Sequence, residues 1–165
     1  MNKDRELKHD LLKAAKNNGM CRMGKGVIRH KDMGEMLERY KEFIVWQIKH
    51  DNPPEAVLRK HFAGFSNDWA ACEVEATFAD QPKVLLTCDA KGVVSYSEGK
   101  RGRVFVRHGA ALRLTAAKDT MVVVSLYDDC HAYVEAADGA KVYVFLHDNS
   151  NLLNSNLNNI IISKR

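Results

Sequence analysis

No stretch of this chain is apolar for anything near the roughly 20 residues that a membrane-spanning helix requires. The opening segment "MNKDRELKHDLLKAAKNNG" also lacks the apolar centre and small-residue cleavage site of a secretory signal, so a cytoplasmic location and no membrane partner are expected. The four cysteines, Cys21, Cys72, Cys88 and Cys130, are far apart and form no CxxC pair, which argues against both a zinc site and a disulfide framework. Buried thiols are the expectation. The seven histidines include no HxH or HxxxH pair, and none has a carboxylate partner at ligand spacing, so no metal site is expected. A Gly-x-Ser-x-Gly elbow is missing too. Gly24 and Gly26 beside Lys25 hint at a phosphate loop, but the four-residue glycine spacing, the Lys-Ser/Thr pair and a preceding strand are all lacking. The sequence therefore reads as a protein that is not an enzyme and takes no cofactor.

What is present suits a soluble globular chain: 45% hydrophobic and 28% charged residues within 165, enough for one ordinary domain or two small ones. Charge is uneven. Residues 1–60 hold 14 Lys/Arg against 9 Asp/Glu, and the remainder 11 against 12. Lys13, Lys16, Arg22, Lys25, Arg29 and Lys31 are candidate phosphate contacts within that basic part. A solvated helical surface is the preferred reading of so interleaved a pattern.

Leu7, Leu11, Leu12 and Ala15 share one face at helical spacing, which predicts a first helix over 3–17. Asp32 followed by Glu35 starts a second, whose stripe is Met36, Leu37, Tyr40, Phe43, Ile44 and Ile48. Asn52 before Pro53 predicts the cap of a third, short helix closed by Gly64, with His61 on its apolar face as a satisfied core histidine. The segment "NGMCRMGKGVIRH" reads as a turn between helices.

The stretches "AAKNNGMCRMGKGVIR" and "MGEMLERYKEFIVWQIKHDNPPEAVLRKHF" resemble a group of short, uncharacterised proteins of gut anaerobic bacteria and their phages or other mobile elements. The likeness covers about residues 11–65: an Asn-Gly-x-Cys turn, a helix ending near an aromatic residue, a proline, and a short helix closing in His-Phe. Lys25 departs from it where an aromatic residue would follow Gly24. The resemblance implies a mobile-element setting and no activity.

The second half repeats. "LRLTAAKDTM", "VVVSLYDDCH", "AYVEAADGAK" and "VYVFLHDNSN" run from Leu112 to Asn151 with aliphatic residues at the first, third and fifth positions. Alternation of this kind gives a strand with one buried face. The seventh position is Asp128, Asp138 or Asp148, with Lys118 the exception, and the eighth is Asp119, Asp129, Gly139 or Asn149. These residues tolerate a left-handed backbone and mark a corner. The ninth is small: Thr120, Cys130, Ala140 and Ser150. Looser copies begin at Lys83, Gly92 and Arg103, and the asparagine-rich tail repeats the rhythm once more.

The expected fold is therefore α+β, with an N-terminal helical cap over residues 1–70 and a β-repeat domain over 71–165. A β-solenoid of ten-residue units, two or three to a coil, accounts for the repeated corners; an antiparallel meander or barrel is the alternative. If every unit advanced one coil, Asp128, Asp138 and Asp148 would stack as a ladder, with structural bonding preferred to calcium binding. Outward positions hold Tyr127, Tyr133 and Tyr143, which with Arg103, Arg107 and His147 are a candidate contact surface. A noncatalytic structural or protein-binding module follows, with self-association through the apolar C-terminal strand as a further expectation. Nucleic-acid binding through the basic helices is the alternative.

Overall fold

The computed structural model describes residues 3–30, 32–154 and 156–165. Contacts divide the chain into a unit ending at His61 and a second unit, Phe62–Arg165. The boundary precedes residue 70 because β1 (Phe65–Ser66) and β2 (Ala70–Cys72) already pair within the sheet.

The first unit is helical: α1 (Lys3–Asn17), α2 (Arg22–His30), α3 (Met33–Glu42), α4 (Ile44–Lys49) and α5 (Glu55–Phe62). Leu7, Ala14 and Ala15 bury the face of α1 that the spacing predicts. Asp32 caps α3 as expected, accepting the Glu35 N–H at 2.9 Å. Three local expectations are corrected. The glycine-containing segment forms helix α2: Lys25 N–H donates to the Cys21 carbonyl at 3.2 Å, and Gly24 lies so close to Met20 that a side chain there would clash. The long second helix breaks at Phe43 (φ −102°, ψ 20°), leaving that ring 53% exposed while Ile44 and Ile48 stay buried. Asn52 does not cap α5. Its amide is spent on the Gln47 side chain at 2.7 Å, the Asn52–Pro53 bond is cis, and the helix starts at Glu55.

His61 finds its partner in Asp10, with Nε2 2.9 Å from Oδ2. Lys60 Nζ reaches both Asp10 and Glu6 at 2.7 Å, which ties α5 to α1 through two carboxylates.

The second unit is a parallel β-solenoid. After β1 and β2 come β3 (Glu75–Ala79), β4 (Lys83–Thr87), β5 (Lys91–Tyr96), β6 (Arg101–Val106), β7 (Ala111–Ala116), β8 (Met121–Leu126), β9 (His131–Ala136), β10 (Lys141–Leu146), β11 (Asn151–Leu152) and β12 (Ile160–Lys164). A seven-stranded sheet runs β1-β2-β4-β6-β8-β10-β12, and a five-stranded sheet runs β11-β9-β7-β5-β3. Except for β1 against β2, every pairing is parallel, and sequential strands fall in opposite sheets. A meander would pair them antiparallel. Each ten-residue unit is thus half a coil, and the register repeats every 20 residues, as in Arg101↔Met121↔Lys141 and Lys91↔Ala111↔His131.

Alternation along the strands places the aliphatic positions between the sheets. Val84, Val104, Val122, Val124, Val142 and Val144 have no exposed surface. Each such side chain contributes about 1.5–3 kcal/mol. The space is narrow, and glycine adjusts it: a methyl at Gly92 would collide with Leu86, and one at Gly102 with the Tyr96 ring. Tyr96 is buried there, with its hydroxyl donating to the Gln81 carbonyl at 2.8 Å.

Corners close by turns in which the ninth-position N–H donates back three residues, as from Cys130 to the Tyr127 carbonyl at 3.2 Å. The two kinds of corner differ. After strands of the seven-stranded sheet the left-handed residue is at the seventh position, as at Asp128 (φ 56°) and Asp148 (φ 55°). After strands of the five-stranded sheet it is at the eighth, as at Asp119 (φ 58°) and Gly139 (φ 80°). Asp138 therefore sits at the opposite corner from Asp128 and Asp148 and does not join their column.

At the C-terminal end asparagine extends the ladder where strand β11 stops. The Asn154 side chain accepts the Val134 N–H at 2.8 Å and donates to the Val134 carbonyl, in the manner of a neighbouring peptide group.

Candidate functional site: the outer face of the seven-stranded sheet and its corner

Outward positions of the seven-stranded sheet form columns with one residue per coil, about 4.8 Å apart along the stack. One column reads Lys83, Arg103, Val123, Tyr143 and Ile161, and its neighbour reads Arg101, Met121 and Lys141. Arg101, Arg103, Met121, Lys141 and Ile161 are exposed, and Lys83, Tyr143 and Phe145 are partly so. Arg165 lies over the Phe145 ring at 4.3 Å, a cation–π contact.

Charge separates the two sheets. The strands of the seven-stranded sheet hold Lys83, Arg101, Arg103, Lys141 and Lys164 and no acidic residue. Those of the five-stranded sheet hold Lys91 and Arg113 against Glu75 and Glu135. These pair across strands, Lys91 with Glu75 at 3.4 Å and Arg113 with Glu135 at 3.3 Å. Charges on the strands of one sheet pair with one another, and the strands of the other carry only basic ones.

Of the predicted contact residues, Arg103 and Tyr143 share a column, and Tyr127 and His147 stack at the adjoining corner, ring centroids 4.3 Å apart and 12° from parallel. Burial pushes the Tyr127 phenol up. Burial, with Arg165 nearby, holds His147 below the ordinary histidine value of 6.5, so its ring is neutral at pH 7. Two residues are corrected. Tyr133 belongs to the five-stranded sheet, because a ten-residue step changes sheets, and there it lies near Arg113. Arg107 is 3% exposed and is committed to His108, donating to Nε2 from Nη2 at 2.7 Å and from Nε at 3.1 Å. It holds the corner together and offers no contact surface.

Arg107 also defines the chemistry of that corner. A guanidinium only donates, so His108 Nε2 accepts, and the proton of the neutral imidazole sits on Nδ1. Nδ1 is 2.9 Å from Thr87 Oγ1 and 3.9 Å from Cys88 Sγ. Thr87 Oγ1 is itself 3.5 Å from that sulfur. A hydrogen bond from Cys72 is the largest influence on Cys88 and, with His108 and Thr87, draws its thiol well below the ordinary range against the opposing effect of burial. At Cys130 burial outweighs the backbone N–H groups of Ala110 and Gly109 and pushes the thiol up to about 12.

Sequence reasoning missed Arg101, Lys141, Cys72, Cys88 and His108. A 20-residue period would have found most of them, since Cys88, His108, Asp128 and Asp148 recur at that interval.

Among the basic helical residues, Lys13 and Lys16 are exposed on α1, and Arg22, Lys25 and Arg29 recur at positions that share one face of α2. Lys31 lies outside the described residues. Among those residues no three metal-ligating side chains converge, and no helix is long and apolar enough to cross a membrane. No family model, curated protein or solved structure matches the chain.

Proposed function

We propose that the protein is a noncatalytic binding module that presents the outer face of its seven-stranded sheet to an acidic protein partner. The observation that carries this reading is the acid-free character of that sheet beside the internally paired charges of the other. Arg, Met, Tyr and Phe are the residues enriched at protein interfaces, and here Arg101, Arg103, Met121, Tyr143 and Phe145 stand on a rigid parallel frame. Preorganisation of that kind lowers the entropy lost on association. The N-terminal resemblance supports a mobile-element setting for such a module.

The test is affinity capture from nuclease-treated lysate of the source cells with three forms: the native chain, Arg101→Glu/Arg103→Glu/Lys141→Glu, and the control Arg113→Glu. The reading expects one protein partner held by the native chain and the control and lost by the triple variant. A partner retained by the triple variant contradicts it.

One observation favours a second reading. Helix α2 holds Arg22, Lys25 and Arg29 on one face and no acidic residue, a footprint suited to phosphates. Binding of this kind would weaken steeply with salt, whereas a partly apolar protein contact would persist.

A further inference from the structure

The seven-stranded sheet ends in β12, and among the described residues β12 pairs only with β10. That pairing fixes the direction of every peptide group in the strand. The Val142 N–H donates to the Asn159 carbonyl at 3.0 Å and the Arg165 N–H to the Leu146 carbonyl at 2.9 Å, so Asn159, Ile161, Ser163 and Arg165 turn their peptide groups towards β10. Ile160, Ile162 and Lys164 turn theirs to the outer edge. The Ile160 N–H is spent on the Leu157 carbonyl at 3.0 Å, which leaves the edge the Ile160 carbonyl and both groups of Ile162 and Lys164.

The core stops open at the same place. Ile162 continues the column of Val104, Val124 and Val144, which have no exposed surface, yet it is 37% exposed. Leu153, Leu157 and Ile161 are exposed in the same last coil, so four of the nine large hydrophobic side chains exposed among the described residues gather at this end. The other edges are managed differently. Asn154 covers the edge of β9, and the far end of the seven-stranded sheet is β1, antiparallel and only two residues long.

We infer that β12 is the interface of a two-fold dimer, in which a second copy of this chain lays its own β12 antiparallel along the edge with Ile162 on the axis. Each Ile162 N–H then donates to the Ile162 carbonyl of the other copy, and each Lys164 N–H to the Ile160 carbonyl opposite. The two Ile162 side chains meet on the inner side and close the open core.

Charge selects this occupant and this direction. Antiparallel pairing sets Lys164 opposite Ile160 and Arg165 opposite Asn159, and it holds the two Lys164 four residue steps, about 13 Å, apart along the strand, beyond a screening length of about 8 Å. Parallel pairing would set lysine beside lysine. Arg165 of one copy comes two strands, about 10 Å, from Lys141 of the other, so salt is expected to tighten the dimer rather than dissolve it. An isologous contact also closes, whereas the two-residue β1 offers no edge on which a filament could grow. The two seven-stranded sheets become one, with their basic faces side by side. The inference stands without the contact surface proposed above.

The test is sedimentation equilibrium of the full chain, with Ile162→Lys, Ile162→Glu and an equal mixture of the two. The native chain is expected at twice the monomer mass, with no larger species and no dissociation at high salt. Like charges on the axis should weaken self-association about 100-fold or more in each single variant. Mixing them should restore the dimer, because residue 162 of one copy faces residue 162 of the other; circular dichroism of each variant verifies its fold. A native chain that stays monomeric, leaving the edge to a different protein, overturns the inference. So does a dimer that survives both substitutions, a mixture that stays monomeric, or open-ended growth.

Discussion

Asp128 reaches across one coil and accepts, through Oδ2, the backbone N–H of His108 at 2.9 Å. Asp148 repeats the contact on Asp128, more loosely, at 3.4 Å. Each carboxylate thus satisfies a donor of the preceding corner while its own backbone holds the left-handed turn. Asp128→Ala removes both services and is expected to cost about 1–3 kcal/mol in urea denaturation. Asp128→Asn retains an acceptor and the turn preference and should cost less than half as much. Equal losses from the two substitutions would show that the contact is incidental.

The inner faces of Gly92 and Gly102 are occupied by Leu86 and Tyr96. Neither glycine has a positive φ, so space and not backbone freedom requires them. Gly102→Ala is expected to destabilise by about 1–3 kcal/mol through overpacking, with the loss partly recovered in Gly102→Ala/Tyr96→Leu. Additive losses in the double variant would contradict the packing argument.

Asn154 closes the edge of β9 by imitating a peptide group. Asn154→Ala should cost about 1–3 kcal/mol and release protection of the Val134 amide in hydrogen exchange. Asn154→Gln places the amide one methylene too far and is expected to behave like alanine. Unchanged Val134 protection in the alanine variant would argue against the mimicry.

His147 carries a linked pH dependence. Its folded value lies below the unfolded value of 6.5, so the unfolded chain takes up the proton first as pH falls. The stability tied to the neutral ring is therefore present above that value and is lost progressively below it. NMR titration should give a His147 midpoint under 6.5, raised towards it in Arg165→Gln, because Arg165 opposes protonation. A midpoint above 6.5 would show that Asp148 outweighs burial.

Much of the solenoid was legible because period-two burial is written in the side chains: Val122, Val124 and Leu126 must face a core together. The corner residues were legible too, since few side chains tolerate a left-handed backbone. The sheet to which each unit belongs was not. Asp128 and Asp138 occupy the same place in a ten-residue repeat, and only strand pairing reveals that one precedes a left-handed glycine at the opposite corner. For the same reason the ten-residue repeat groups Tyr133 with Tyr143 although they stand on different sheets. Helix α2 was hidden by its two glycines, whose low propensity is overridden by packing such as that of Met20 against Gly24. The Cys72, Cys88 and His108 cluster had no local signature, because its members meet only through the stacking of coils.

The most direct test of the contact surface is site-specific photo-crosslinking in the source cells, with a photoreactive phenylalanine analogue replacing Tyr143 on one sheet and Tyr133 on the other. The account predicts a discrete protein adduct at position 143, insensitive to nuclease, and none at position 133. An adduct at 133 without one at 143, or nucleic acid attached through α2 with no protein at 143, would contradict it.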